Sequence, residues 1–134
     1  MLATGRVGRL ATVDAAGQPM VVPVCFALFG ERLYWAVDAK PKHTRNLRRL
    51  RNIAHNPRVS LVVDEWDEDW RRLRWVMVEG TAVEVTDAAE RTRALAALVA
   101  KYPQYATMQL ATVAHAVVAI TPARVLTWRA EPTT

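Results

Sequence analysis

The chain has 134 residues and a mass of 15.0 kDa, the size of one ordinary domain with room for one real core. Hydrophobic residues make up 51% and charged residues 23%, which excludes disordered, collagen-like and low-complexity classes. The formal charge is +5, and the one cysteine excludes an internal disulfide or a multi-cysteine zinc site.

In chain order, Arg6 to Val13 is a short β-prone run. Asp14 to Gln18 supplies a turn, with Gly17 free to take positive φ. Pro19 to Phe29 reads as one long apolar strand, the longest apolar run in the chain and too short to span a membrane. Arg6 and Arg9 break up the opening before any secretory leader could form, so the expectation is a soluble, cytoplasmic domain. Gly30 to Arg32 turns tightly into a strand from Leu33 to Asp38. Leu47, Leu50 and Ile53 then recur every three residues among arginines, which predicts a basic helix from about Thr44 to His55, stopped by Asn56-Pro57. Arg58 to Asp64 and Arg72 to Thr86 read as strands, with Gly80 marking a bulge or bend in the second. Asp87 is placed to cap a second helix with Glu90 three residues on, its buried face formed by Leu95, Leu98, Val99 and Tyr102. Lys101 falls at the end of this helix as an ordinary solvated charge. Gln104 to Leu110 allows one or two further helical turns. Ala114 to Thr121 and Arg124 to Arg129 read as two last strands separated at Pro122. Six or seven strands with two or three helices, the first three joined by turns too short for crossovers, predict a small mainly β (α+β) barrel in a single domain over residues 1–134.

The charge is not spread evenly. Of the 18 basic and 13 acidic residues, seven basic and no acidic ones lie between Ala39 and Val63; the remainder of the chain is slightly acidic. A field so concentrated attracts an anion: a phosphorylated cofactor, a nucleic-acid backbone or an acidic tail. An acidic, tryptophan-bearing stretch follows at once, Asp64 to Trp70. It opposes a long polyanion, and the chain has neither a helix-turn-helix pair nor an aromatic RNA-binding signature, so nucleic acid is not expected as a partner. Neither is a membrane.

No dinucleotide fingerprint, phosphate-binding P-loop or nucleophile elbow is present. His43, His55 and His115 lie far apart and read as surface or structural residues, with no metal site expected. Cys25 reads as a buried, inert thiol. Asp67 and Asp69 read as members of a solvated loop rather than an acid–base pair. The positive signal is the strand end followed by Lys40-Pro41-Lys42 and a helix start. Two lysines, with Arg45 one turn further, can close on a phosphate while the first helical turn offers its free N–H groups. A charged loop that merely keeps a sheet edge soluble is the plainer alternative.

The segments LATVDAAGQPMVVPVCFAL, LYWAVDAKPKHTRNLRRLRNIAHNPRVSLVVDEWDEDW and RLRWVMVEGTAVEV, in this order and spacing, resemble the split β-barrel proteins of the pyridoxamine 5'-phosphate oxidase-like class. Within that class the chain is most similar to the actinobacterial F420-dependent oxidoreductase branch, over about Gly5 to Trp128. The resemblance implies an FMN-binding-like split barrel, a homodimer, and two cofactor sites at the subunit interface. It places Lys42 on the phosphate-binding lysine, with Lys40 in place of the serine of that loop and Pro41 between them. It places Val37 and Asp38 along the cofactor ring, and Val22, Pro23 and Val24 on the neighbouring strand that contributes backbone contacts. Trp75 falls where the FMN oxidases carry a phosphate-binding glutamine, and the second strand lacks their arginine. Both departures favour F420, a deazaflavin with a longer anionic tail, over FMN. The implied activity is hydride transfer from reduced deazaflavin to a small conjugated substrate, with no catalytic acid or base assigned. The alternatives are an FMN-dependent reductase or oxidase, or a non-catalytic F420- or flavin-binding protein of the same fold. Trp66, Trp70 and Trp75 are placed to cover the ring from the partner subunit, or else to pack in the core or the dimer interface. Relatives carry a helix ahead of the first strand, whereas this chain starts almost at that strand, so the helix is expected to be absent or shortened.

Overall fold

The structure, a computed structural model, describes residues 1–37 and 44–131, with backbone alone at residues 44–47. Seven strands form one sheet: β1 (Gly8–Val13), β2 (Pro19–Val24), β3 (Ala27–Phe29), β4 (Arg32–Val37), β5 (Arg58–Glu65), β6 (Arg74–Glu84) and β7 (Ala116–Arg129). Their spatial order is β2-β1-β5-β6-β7-β4-β3, with every neighbouring pair antiparallel. The two outermost strands, β2 and β3, are separated in sequence by Cys25 and Phe26 alone. Three Cα steps reach at most roughly 11 Å, so the sheet must curl until its two edges nearly meet. That is a barrel, closed by chain connectivity rather than by a last ladder of hydrogen bonds.

The expected single strand from Pro19 to Phe29 is therefore two strands. The reason lies far off in sequence. The Tyr102 hydroxyl accepts from the Phe26 N–H at 3.1 Å and shares its proton between the carbonyls of Phe26, at 3.1 Å, and Arg6, at 3.0 Å. One side chain thus supplies the bonds that a ladder would have given Phe26. The expected break at Pro122 does not occur. β7 runs straight through it, and a register shift between Glu79 and Gly80 absorbs the extra residue: Glu79 faces Arg124 and Gly80 faces Pro122. Pro122 cannot donate to a ladder and sits at the bulge for that reason. Gly80 is required there, because a Cβ would run into the Thr121 carbonyl oxygen.

Two cores share the sheet. Inside the barrel, Leu10, Phe26, Leu33, Trp35, Leu61, Val78, Val118 and Ile120 are almost wholly buried. Outside β3, β4 and the first half of β7 lies α2 (Ala88–Lys101), with Leu95 and Leu98 packed on Tyr34, Val117 and Ala119. The first five residues of β7 are accordingly buried on both faces. Asp87 caps α2 as expected, accepting from the Glu90 N–H at 2.8 Å. The Glu90 carboxylate does not return to the cap. It takes the Tyr34 hydroxyl at 2.7 Å and Arg32 at 2.9 Å, tying the helix to β4. Two short helices follow, α3 (Pro103–Thr107) and α4 (Leu110–Val113), joined through Gln109 at φ 57°. With α1 (Thr44–His55) this makes four helices among the described residues, where two or three were expected.

Candidate functional site

The expected site begins where β4 ends. Val37 is buried, and its carbonyl accepts from the His115 N–H at 2.8 Å, which fixes the strand end against the start of β7. Asp38, Lys40, Pro41 and Lys42 lie outside the described residues, and Arg45 is described by its backbone only. Beyond them α1 is anchored by three residues. Ile53 enters the inner core, and the Asn52 amide donates to the Thr12 hydroxyl at 3.0 Å. The guanidinium of Arg49 lies 5.4 Å from the centre of the Trp35 ring. This seating turns Arg48, Arg51 and His55 outward.

β2 is an edge strand, paired with β1 only, so one side of its backbone is free of ladder partners among the described residues. Pairing of Leu10 with Val22 and of Gly8 with Val24 turns Val22 and Val24 inward, while Pro23, opposite Arg9, faces out. Trp75 is elsewhere. It lies at the start of β6, half-buried, between Asp64 and Trp128 in register. Val37 pairs with Ala116 at the other end of β7, twelve residues from Trp128. At about 3.3 Å per residue that is roughly 40 Å of strand. The structure brings Val22 and Val24 to one strand edge and keeps Trp75 at the far end of the sheet from Val37.

The acidic stretch is a rigid hairpin tip. Asp67 accepts from the Asp69 N–H at 2.7 Å, and Asp69 caps a 3-10 turn (Trp70–Arg72). A two-point bond to Arg71, at 2.9 and 2.8 Å, holds the Asp69 carboxyl down at about 2. Both carboxylates are spent on the turn. Trp66 and Trp70 stand out from it, 66% and 67% exposed, so neither belongs to this chain's core.

Lys101 is not a solvated charge. Its ammonium nitrogen is buried without a hydrogen-bond partner among the described residues, 3.8 Å from the centre of the Phe26 ring. Burial, reinforced by the Arg6 guanidinium, pushes its pKa down to about 8. Arg6 itself donates to the Lys101 carbonyl at 2.9 Å and stacks on Tyr102. Cys25 is half-buried at the edge of this cluster rather than inside a strand. No local pattern announces the cluster, because its members come from residues 6, 25, 26, 101 and 102. Among the described residues no three His, Cys, Asp or Glu side chains gather as a metal site. No described helix is long and apolar enough to cross a membrane.

A sheet curled until its edges meet, filled by one core and flanked by a second, defines a split β-barrel. The chain belongs to the pyridoxamine 5'-phosphate oxidase family, whose sequence profile matches residues 1–129. A reductase acting on 5a,11a-dehydrotetracycline and 5a,11a-dehydrooxytetracycline, from Streptomyces rimosus, is 41% identical over 76 residues. That match covers 56% of this chain and 52% of the reductase, so it spans about half the length of that relative. A conserved hypothetical protein of Mycobacterium tuberculosis superposes with a TM-score of 0.75 at 24% identity, covering 94% of this chain and 78% of that one. A FAD-binding protein of Mesorhizobium loti superposes at 0.67 with 28% identity, covering 94% and 85%.

Proposed function

We propose that the chain is a cytoplasmic, homodimeric oxidoreductase that binds F420 and reduces a small conjugated substrate. The observation that carries this reading is the outward basic face of α1, Arg48 and Arg51, directly after the lysine-bearing segment, on a helix whose Asn52 amide reaches Met20 of the edge strand β2. The fit to a long anionic cofactor is electrostatic at α1 and steric at β2, where the edge backbone and the outward Pro23 leave small apolar surface for a flat ring. Lys40, Lys42 and Arg45 would hold the phosphate, and Val37 and Asp38 would flank the ring. When bound, the reduced deazaflavin supplies a hydride; the substrate's conjugated bond takes it up with one proton from solvent. The chain's task is to bind, orient and keep the ring dry. Trp75 cannot share a ligand with Val37 of its own chain, so any part it has in the site is played from the second subunit. The reductase from Streptomyces rimosus supports a polycyclic, conjugated substrate class.

A titration with F420 and with FMN tests the reading. F420 is expected to bind more tightly, with affinity falling as salt rises because exposed charge pairs are screened. Equal or tighter FMN binding at physiological salt would favour an FMN-dependent reductase instead. Lys42→Ala is expected to weaken F420 binding about ten- to a hundredfold, the value of a charge-assisted bond to phosphate, with melting unchanged. Arg93→Ala, an exposed cation on α2, serves as the control and should lose far less.

A further inference from the structure

The end of the sheet away from Val37 carries a second concentration of basic side chains. Glu65, Arg74 and Arg129 stand opposite one another on β5, β6 and β7. Alternation puts this row on the same side of the sheet as Val63 and Val76, two positions along, which belong to the inner core. Past that core the row turns from apolar to charged. With Arg71, Arg72 and Leu73 of the hairpin tip and Ala130 it lines a cavity of about 290 Å³. Backbone bonds hold the walls: the Ala130 N–H donates to the Leu73 carbonyl at 2.9 Å, and the Arg72 N–H to the Asp69 carbonyl at 3.0 Å.

Four guanidinium groups and one carboxylate line this cavity. Two of the arginines are already matched. Arg74 grips Glu65 through Nε and one terminal nitrogen, at 2.8 and 2.6 Å, and Arg71 grips Asp69 in the same way, at 2.9 and 2.8 Å. Each grip fixes the direction of its fork and leaves the other terminal nitrogen with donors to spare. The remaining two arginines are not matched. Arg72 comes no nearer than 4.0 Å to the Asp67 carboxylate, and the Arg129 guanidinium makes no hydrogen bond or ion pair to any described residue. Arg74 and Arg129 are also direct cross-strand neighbours, and like charges so placed repel. The pocket therefore holds two surplus positive charges, which an anion inside it would relieve.

We infer that this pocket binds the phosphoryl group of a phosphate ester, with Arg72 and Arg129 balancing its two charges and the spare nitrogens of Arg71 and Arg74 donating to its remaining oxygens. Guanidinium forks meet phosphate oxygens two at a time, which an ammonium does not. The forks of Arg71 and Arg74 are set before any ligand arrives, so little ordering is left to be done on binding. The cavity is larger than a bare phosphate, which leaves space for the group that carries it. A long polyanion is excluded by Asp67, Glu68 and Asp69 on the same tip. The pocket lies at the opposite end of β7 from Val37, and the inference does not rest on the cofactor proposed above.

Calorimetric titration of the wild type with glycerol 3-phosphate, inorganic phosphate and acetate tests it. Both phosphates are expected to bind, the ester at least as tightly, and acetate far more weakly. Arg129→Gln and Arg72→Gln should each lower the phosphate affinity about tenfold or more, the value of a charge-assisted bond. Arg124→Gln removes the same charge from the outer face of the same strand, which no described helix covers, and should change the affinity less than about twofold. Thermal melting confirms that each variant is folded. Three results overturn the inference: no phosphate binding by the wild type at millimolar concentration, an equal loss in Arg124→Gln and Arg129→Gln, or binding that Lys42→Ala abolishes, which would belong to the lysine segment. An F420 titration of Arg129→Gln then identifies the source of the phosphoryl group. Unchanged F420 affinity assigns the pocket to a separate phosphate ester, and a tenfold loss assigns it to the cofactor's own phosphate. A wild type that binds glycerol 3-phosphate but not F420 sinks the cofactor reading and leaves this one standing.

Discussion

The sheet has two outer surfaces, and they are finished differently. Under α2 to α4 the polar groups are paired, the Lys101 ammonium excepted: Tyr34 and Arg32 bond to Glu90, and Arg91 donates to the Ala114 carbonyl at 3.0 Å. The apolar ones are shut away, Leu98 and Leu110 completely. On the bare side, Val21 and Trp128 stay exposed, and the side chains of Arg58, Glu79 and Arg124 go without partners among the described residues. One surface completes the fold. The other leaves apolar and charged side chains exposed.

The contrast can be broken most forcefully from the covered side. Leu98→Ala removes a fully buried side chain between α2 and the sheet and should cost about 2–5 kcal/mol, read from chemical denaturation. Val21→Ala on the bare face should stay within about 0.5 kcal/mol in dilute monomer. Equal losses at the two positions would show that the bare face stabilises the isolated chain after all.

Next in size is Tyr34→Phe, which deletes the hydroxyl that Glu90 accepts and should cost about 0.5–1.5 kcal/mol. This bond, followed by the bond to Arg32, holds the Glu90 carboxyl below its usual range. A depressed carboxyl stabilises the fold above the pKa it has when unfolded and loses that contribution as pH falls through its folded pKa. The wild type should therefore weaken on acidification through the carboxylate range, and Tyr34→Phe should flatten that part of the profile.

The smallest effect sharpens the comparison from an unexpected place. Lys101 buries an ammonium with no acceptor among the described residues, and its pKa falls to about 8. A lysine whose folded pKa lies below the unfolded one destabilises the fold while charged, so stability should rise as pH climbs from about 8 towards the ordinary lysine value. Lys101→Met keeps the apolar stem against Phe26 and removes the charge. It should raise the melting temperature slightly at neutral pH and abolish the alkaline rise. A lower melting temperature would mean that the contact of the ammonium with the Phe26 ring outweighs its burial.

Much of this arrangement is legible in the sequence where the cause is local. The spacing of Leu50 and Ile53 and the stop at Asn56-Pro57 mark α1 to the residue, Asp87 marks the start of α2, and Gly80 marks the bulge. Where the cause is distant the reading fails. The break at Cys25-Phe26 depends on a hydroxyl 76 residues away, the passage of β7 through Pro122 depends on Gly80 of β6 opposite the bulged Ala123, and the burial of Lys101 depends on Arg6 and Phe26. The candidate site divides in the same way. Val22 and Val24 lie on β2 and Val37 ends β4, in strands that the local pattern marks, whereas the edge position of β2 and the separation of Trp75 from Val37 appear only once the strands are aligned.

The route of the chain around the barrel has a consequence for how it folds. The hairpins β1–β2 and β3–β4 are built from the first 37 residues and follow one another directly, yet they finish as opposite margins of the sheet. Nothing in that stretch pairs one with the other. They are joined on the far side only when β5 zips to β1 and β7 zips to β4, and the Val37–Ala116 pair spans more than half the chain. Closing so long a loop is costly before any pairing rewards it. On the ribosome the β3–β4 hairpin must wait for the last strand, and a chain released without β7 would hold the ladder β2-β1-β5-β6, an orphan β3–β4 hairpin and no barrel.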